Sequence, residues 1–163
     1  VDDPDKAQAL YRDIQSLLDE RYDLSLAIPT PLIPVDHDQF RTVLAELHDH
    51  DAQHNSSPRG IYARIGMRRG IYVELGLPRA HLIQIMAHEI GHAWQMENNP
   101  VLDDPIAVEG FAEWISYQTL LAYGETALAQ NMLVREDLYG QGLRHMIALA
   151  DGGHNWDRIR RLK

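Results

Sequence analysis

The stretch Ile83-Gln84-Ile85-Met86-Ala87-His88-Glu89-Ile90-Gly91-His92-Ala93-Trp94 decides how the rest of the chain is read. It places His-Glu-x-x-His inside an apolar run that reads as one buried helix. Residues four apart on a helix stand one above the other, so His88 and His92 can present two imidazoles to one metal ion. Glu89 is rotated by one position from His88, so its carboxylate flanks such an ion without necessarily binding it. Two nitrogen ligands, a neighbouring general base and a third ligand from elsewhere are what a hydrolytic zinc site requires. An unliganded His and Glu in an apolar helix would be costly to bury, which favours a metal over a chance occurrence.

Working outward, composition sets the frame. The chain has 163 residues, enough for one domain over 1–163, and its 45% hydrophobic residues suffice for a real core. A net charge of −9 argues against nucleic acid as a partner, because phosphate binding needs clustered Lys and Arg. The short basic groups Arg64/Arg68/Arg69 and Arg158–Lys163 read as a solvated turn and a charged helix end. No membrane-length apolar run and no leader segment is visible, so a cytoplasmic location off the membrane is expected. The chain opens at Val1 rather than Met, consistent with a piece of a longer protein. Cysteine is absent, so any metal ligands must be His, Asp or Glu.

The motif helix is expected to run from about Arg79 to Asn98, launched by Gly76-Leu77-Pro78 and stopped by Asn98-Asn99-Pro100. Before it, Ile61, Ala63 and Ile65 alternate with Tyr62 and Arg64, and Ile71, Val73 and Leu75 with Tyr72 and Glu74. Two period-two runs joined by a Gly-bounded turn make a hairpin, with Tyr62 and Tyr72 on its faces. Further upstream, Asp3-Pro4 starts an amphipathic helix to about Tyr22, carrying Ala7, Leu10, Tyr11, Ile14, Leu17 and Leu18. Ile28–Val35, with three prolines, is an extended connector or an edge strand. Asp36 caps a second helix bearing Phe40, Val43, Leu44 and Leu47. The following His48, His50 and His54, beside Asp49 and Asp51, read as a polar helix end and loop rather than a second metal site.

Downstream, Asp103 or Asp104 caps a helix with Pro105 at its first position, ending at Gly124. Helices over about 125–138 and 141–150 are expected next, then a turn at 151–153 and a short helix over 155–162. The fold class is therefore α+β and mainly helical, with a small antiparallel hairpin packed on the His-Glu-x-x-His helix. Trp94, Phe111 and Trp114 are assigned to the core.

The third ligand is sought on the helix after the motif, in Glu109-Gly110-Phe111-Ala112-Glu113. The two glutamates share one helical face, so either could reach the ion, the other then orienting a ligand histidine. Gly110 would let the motif helix and this one approach closely. A zinc ion held by two His and one Glu keeps a position for water. Glu89 would take the water's proton and pass it to the leaving amine. Tyr139, His145 and His154 are candidate donors to the oxyanion. A substrate peptide could add as a strand along the hairpin edge.

With these residues in hand, the sequence resembles the gluzincins. Glu109-Gly110-Phe111-Ala112 is similar to the aminopeptidase N segment whose glutamate is the third zinc ligand, which implies Glu109 as ligand and Glu113 behind a histidine. A nearer resemblance is to the C-terminal peptidase domain of the plant DA-one growth regulators. It is carried by Leu75–Arg79, Ala87–Trp94, Val108–Gly110 and Tyr139-Gly140-Gln141-Gly142-Leu143-Arg144, with weaker likeness at Ala9–Gln15 and Pro58–Gly60. The resemblance implies a zinc endopeptidase acting on selected intracellular proteins, and raises Tyr139 as the oxyanion donor. A ubiquitin-like regulator is implied by resemblance alone; with no cysteine, the family's LIM module is absent from this span. Two other readings compete. An aminopeptidase would need an acidic anchor for the substrate amine, for which Glu113 or Glu74 is the candidate; a non-catalytic interaction module would keep the metal for stability.

Overall fold

A computed structural model describes residues 1–48, 58–65 and 68–150, without the side chains of 48, 65 and 68. Six helices and three strands follow in the order α1 (Pro4–Tyr22), β1 (Leu32–Val35), α2 (His37–His48), β2 (Gly60–Ile65), β3 (Arg68–Glu74), α3 (Arg79–Asn98), α4 (Pro105–Ala122), α5 (Thr126–Leu133) and α6 (Leu138–Leu149). The described chain is thus mainly helical with one small sheet, an α+β arrangement. No described helix is long and apolar enough to cross a membrane.

The local signals act as chemistry requires. Asp3 accepts from the Asp5 N–H and Pro4 opens α1, whose apolar stripe buries Ala7, Leu10, Tyr11, Ile14 and Leu18. Asp36 and Gln39 cap α2 reciprocally, side chain to backbone, at 2.8 and 3.1 Å. Of the two candidate caps of α4, Asp104 is the one used, accepting from Ile106 N–H. At the far end of α4, Gly124 adopts φ +76°, and the Glu125 and Gly124 N–H groups return to the Leu120 and Leu121 carbonyls. That is a left-handed glycine stop.

The sheet is mixed, which corrects the purely antiparallel expectation. Its order is β1-β3-β2: β2 pairs antiparallel with β3, and β1 lies parallel on the other side of β3. The proline-rich stretch is therefore an edge strand, where Pro34 costs no central ladder bond. It is held from α1, by Tyr11 Oη donating to the Thr30 carbonyl and Gln8 Nε2 to the Leu32 carbonyl, both at 2.8 Å.

α3 lies on the sheet face that carries Leu32, Ile71 and Val73, all buried. Gly60 is on that face because a side chain there would collide with Ile85 of α3. α3 is buried nearly all round, through Leu82, Ile83, Met86, Ala87, Ile90, Ala93 and Trp94. Each large side chain so buried is worth about 1.5–3 kcal/mol relative to exposure. α4 packs on α3, and α6 on α4. Trp94 stacks on Phe111 at 5.3 Å between ring centroids, and Trp114 meets Tyr22 edge-on at 5.5 Å, so these aromatics are core.

Three expectations change in the second half. The helix expected over 125–138 ends at Leu133, and the next starts at Leu138 rather than near Gln141. Asp137 explains the shift: its carboxylate caps α6 through the Gly140 N–H and pairs with Arg135. Tyr139-Gly140-Gln141-Gly142 therefore falls in the first turns of α6. Third, Gly110 does not face the motif helix. A Cβ on Gly110 would stand 2.6–2.9 Å from the backbone of Gly142, so this glycine pair is the α4–α6 crossing. Gly91, inside the motif, makes the α3–α4 approach against Ala112. The turn at 151–153, the helix over 155–162, and residues 49–54 with His50 and His54 lie outside the described residues, as does the side chain of His48.

Candidate metal centre

α3 and α4 cross at the small residues Gly91 and Ala112, and that close approach brings His88, His92 and Glu109 together. His88 Nε2 and His92 Nε2 are 3.0 Å apart, and Glu109 Oε2 is 3.4 and 3.5 Å from them. Ligand atoms at 2.0–2.1 Å on a tetrahedral ion stand about 3.3–3.4 Å from one another. The observed triangle has that size.

What lies behind the imidazoles decides which atoms face inward. His88 Nδ1 is 3.0 Å from Glu113 Oε1, a carboxylate that can only accept. His88 Nδ1 therefore carries the proton. His92 Nδ1 is 3.1 Å from Gln95 Oε1, and Gln95 is oriented because its amide nitrogen donates to the Val108 carbonyl at 3.0 Å. His92 Nδ1 carries its proton too. Both Nε2 lone pairs then point at one another and at a carboxylate oxygen. Three electron-rich atoms within 3.5 Å repel unless a cation, or a proton, sits among them.

The titration behaviour without a metal reflects the same demand. Burial opposes charge on His88, but Glu109 and Glu113 at its two nitrogens outweigh it and hold its pKa well above the usual histidine range. Burial likewise raises Glu109, yet hydrogen bonding and charge from His88 and His92 bring it well below the usual carboxylate range. His88, His92 and Glu109 could hold a metal ion, and all three were expected ligands.

Glu89 is outside the ligand triangle but near enough for its charge to act on His88. Its Oε2 accepts the backbone N–H of Tyr62 at 2.7 Å. Tyr62 pairs with Ile71, and the bond from the Glu74 N–H to the Arg59 carbonyl fixes the ladder phase: pairs 59/74, 61/72 and 63/70 are bonded, so Tyr62 presents its backbone to the outer edge of β2. The candidate general base thus sits beside the edge of β2 that pairs with no other described strand.

Tyr139 is close to the group, its ring centroid 6.1 Å from that of His88. Gly140 and Gly142 set that position, the first allowing the Arg135 backbone to fold against α6 and the second allowing α6 onto α4. Of the other two candidate donors, His145 is exposed on α6 and His154 lies outside the described residues. Neither proposed amine anchor has the expected disposition. Glu74 is buried on the opposite sheet face, where it receives Arg59 at 2.7 Å and His37 at 3.0 Å. Glu113 is buried behind His88.

Three participants were missed from sequence. Gln95 was detectable in principle, three residues after His92 on one helical face. Arg135 was not: it comes from the α5–α6 connection, with Nη1 3.9 Å from Glu113 Oε2 and its guanidinium 4.8 Å over the Tyr139 ring. The Tyr62 amide is backbone and leaves no side-chain signal. No family model matches the chain, and neither a curated protein nor a solved structure does.

Proposed function

We propose that the protein is a zinc-dependent peptidase of gluzincin type, similar to the peptidase domain of the plant DA-one family, and that it cuts within peptide chains. The observation that carries this reading is the convergence of two imidazole lone pairs and one carboxylate on a single point, with a separate carboxylate held on the edge of β2 away from β3. Two His and one Glu are the donor set of a zinc ion that keeps a position for water. An ion there supplies Lewis acidity, bringing a water's pKa to about 7 and polarising a carbonyl.

The protein's own residues supply the rest. Glu113 and Gln95 accept at the two Nδ1 atoms and so turn Nε2 of both imidazoles toward the ion, which would have to displace the proton that the raised pKa of His88 keeps there. The Tyr62 amide holds one oxygen of Glu89, which leaves the other to take the proton of the attacking water and return it to the departing amine. Tyr139 would donate to the oxyanion, a role supported by its ring lying 6.1 Å from that of His88. The substrate main chain adds to the outer edge of β2, where the Tyr62 carbonyl and the Arg64 backbone point away from β3. Burial of Glu74 and Glu113 on other partners favours cleavage within chains over recognition of a free amino terminus.

The test is Glu89→Gln in the zinc-loaded protein, with terminally blocked peptides as substrates. Retained zinc with proteolysis lost supports the assignment. Undiminished proteolysis would remove Glu89 as base, and no cleavage of any blocked peptide by the unaltered protein would remove the endopeptidase reading.

A further inference from the structure

Arg64 and Arg69 flank the tip of the hairpin, whose turn at 66–67 and Arg68 side chain lie outside the described residues. Arg64 of β2 stands directly opposite Arg69 of β3. Residues directly opposite in an antiparallel pair share a face, and like charges there are destabilising. The pair lies in the same ladder phase as Tyr62/Ile71 and Gly60/Val73, the non-bonded positions whose side chains approach most closely. The shared face is that of Gly60, Ile71 and Val73, the face turned to α3.

No carboxylate among the described residues forms an ion pair with either arginine, although acidic residues outnumber basic ones by 24 to 15. Arg59, just before β2, lies on the opposite face and is paired with Glu74. Two arginines on directly opposite positions of one sheet face, with no ion pair among the described residues, offer an anion two guanidiniums at once.

Their position relates that site to the candidate centre. β2 and α3 run side by side: Gly60 is against Ile85, and two residues on, Tyr62 is bonded to Glu89, four residues on. Two strand residues advance about 6.6–6.8 Å and four helical residues about 6 Å, so the elements stay level. The next step puts Arg64 level with the turn of α3 after Glu89, the turn that ends with His92 and Ala93. Arg64 is also exposed, and its backbone faces the outer edge of β2.

We infer that Arg64 and Arg69 form a substrate subsite that takes a carboxylate within about two residues of the scissile bond. The inference rests on the peptidase reading and adds substrate class to it. Arginine suits this role because its planar fork matches a carboxylate with two parallel hydrogen bonds. The carboxylate is an Asp or Glu side chain or the substrate's own C-terminus.

The experiment uses internally quenched peptides in matched pairs, Glu against Gln at each position within three residues of the cut, each with a free and an amidated C-terminus. The zinc-loaded protein is expected to prefer one acidic position by about tenfold or more in kcat/KM, the scale of a charge-assisted hydrogen bond. In Arg64→Gln/Arg69→Gln the Glu/Gln ratio falls to near one. Because it is a ratio within one preparation, a lower folded fraction cancels. In Arg64→Glu/Arg69→Glu the preference passes to Lys at the same position. A preference that survives in the free acid and vanishes on amidation assigns the site to the C-terminus; one indifferent to amidation assigns it to a side chain. Equal cleavage of Glu and Gln peptides by the unaltered protein overturns the subsite and leaves the peptidase reading standing. If no peptide is cut, that reading fails instead, and anisotropy of the labelled peptides decides the subsite. Tighter binding of Glu peptides, lost in Arg64→Gln/Arg69→Gln, supports it; equal binding overturns it.

Discussion

Glu109→Gln and Glu113→Gln should separate cleanly in metal affinity, although the two glutamates share one face of α4. Glu109 offers Oε2 to the centre of the triangle, 3.4 and 3.5 Å from the two Nε2 atoms. Glu113 meets His88 at its far nitrogen instead, at 3.0 Å. Complete four-ligand zinc sites in small peptides bind with about 10–16 kcal/mol, so one ligand accounts for roughly 2.5–4 kcal/mol. Loss of the Glu109 anion should therefore weaken zinc by about 10²–10³-fold. Loss of a partner behind a ligand costs about 10–100-fold. Glu113→Gln belongs at the lower end, since an amide oxygen can still accept from His88 Nδ1. The assay is competition against a chromophoric chelator at one fixed pH, because protons compete for the same imidazoles. Glu89→Gln is the internal comparison and should stay within a few fold, its carboxylate lying on the Tyr62 amide instead of in the triangle. A larger loss in Glu113→Gln than in Glu109→Gln would refute the ligand assignment. So would a loss below about twofold in both.

Three further outcomes are expected. Tyr139→Phe should lower kcat by about 10²–10³-fold, the measured scale for one oxyanion donor, with zinc affinity unchanged since the ring stays against Arg135; unaltered turnover would dismiss the phenol. Gly142→Ala places a Cβ 2.7–2.9 Å from the backbone of α4, which cannot yield as a side chain would. Overpacking of about 1–3 kcal/mol corresponds to a Tm about 2–12 °C lower in a protein of this size, read by thermal unfolding. In the metal-free protein, the depressed Glu109 carboxyl contributes stability that is present above its unfolded pKa. That stability is lost as pH falls below about 4.5, so denaturant unfolding from pH 6 to 3 should fall less steeply in Glu109→Gln, and parallel curves would contradict the coupling.

The parts of the site that read clearly were those whose information is local. His88, Glu89 and His92 are fixed by helical periodicity within five residues, and Asp3, Asp36 and the pair Asp103/Asp104 announced caps by residue type. The Asp137 cap was overlooked, so a helix was carried five residues too far, past Leu133, and the next begun three residues late. Gly110 was understood as a residue of close approach but given the wrong partner, because a glycine states that something comes near without stating what. Strand direction was illegible for a related reason: the spacing of Leu32–Val35 suits a parallel or an antiparallel neighbour equally.

The sequence by itself determined two imidazoles on one helical face, a base beside them, two glutamates a turn apart and the helical character of the chain. These follow from periods of two and 3.6 residues, which any short segment carries within itself. Only the tertiary structure decided that Glu109 faces the triangle while Glu113 stands behind His88. It also decided that Tyr62 lends its backbone to Glu89, that Arg135 reaches Glu113, and that Arg64 meets Arg69. Those relations arise where separate elements cross at Gly91 and Ala112, at Gly110 and Gly142, and across the β2–β3 ladder. Crossing geometry depends on packing between segments far apart in the chain, and no single segment encodes it. The motif that opened the reading supplied the ligands; the packing around it turned their lone pairs to one point.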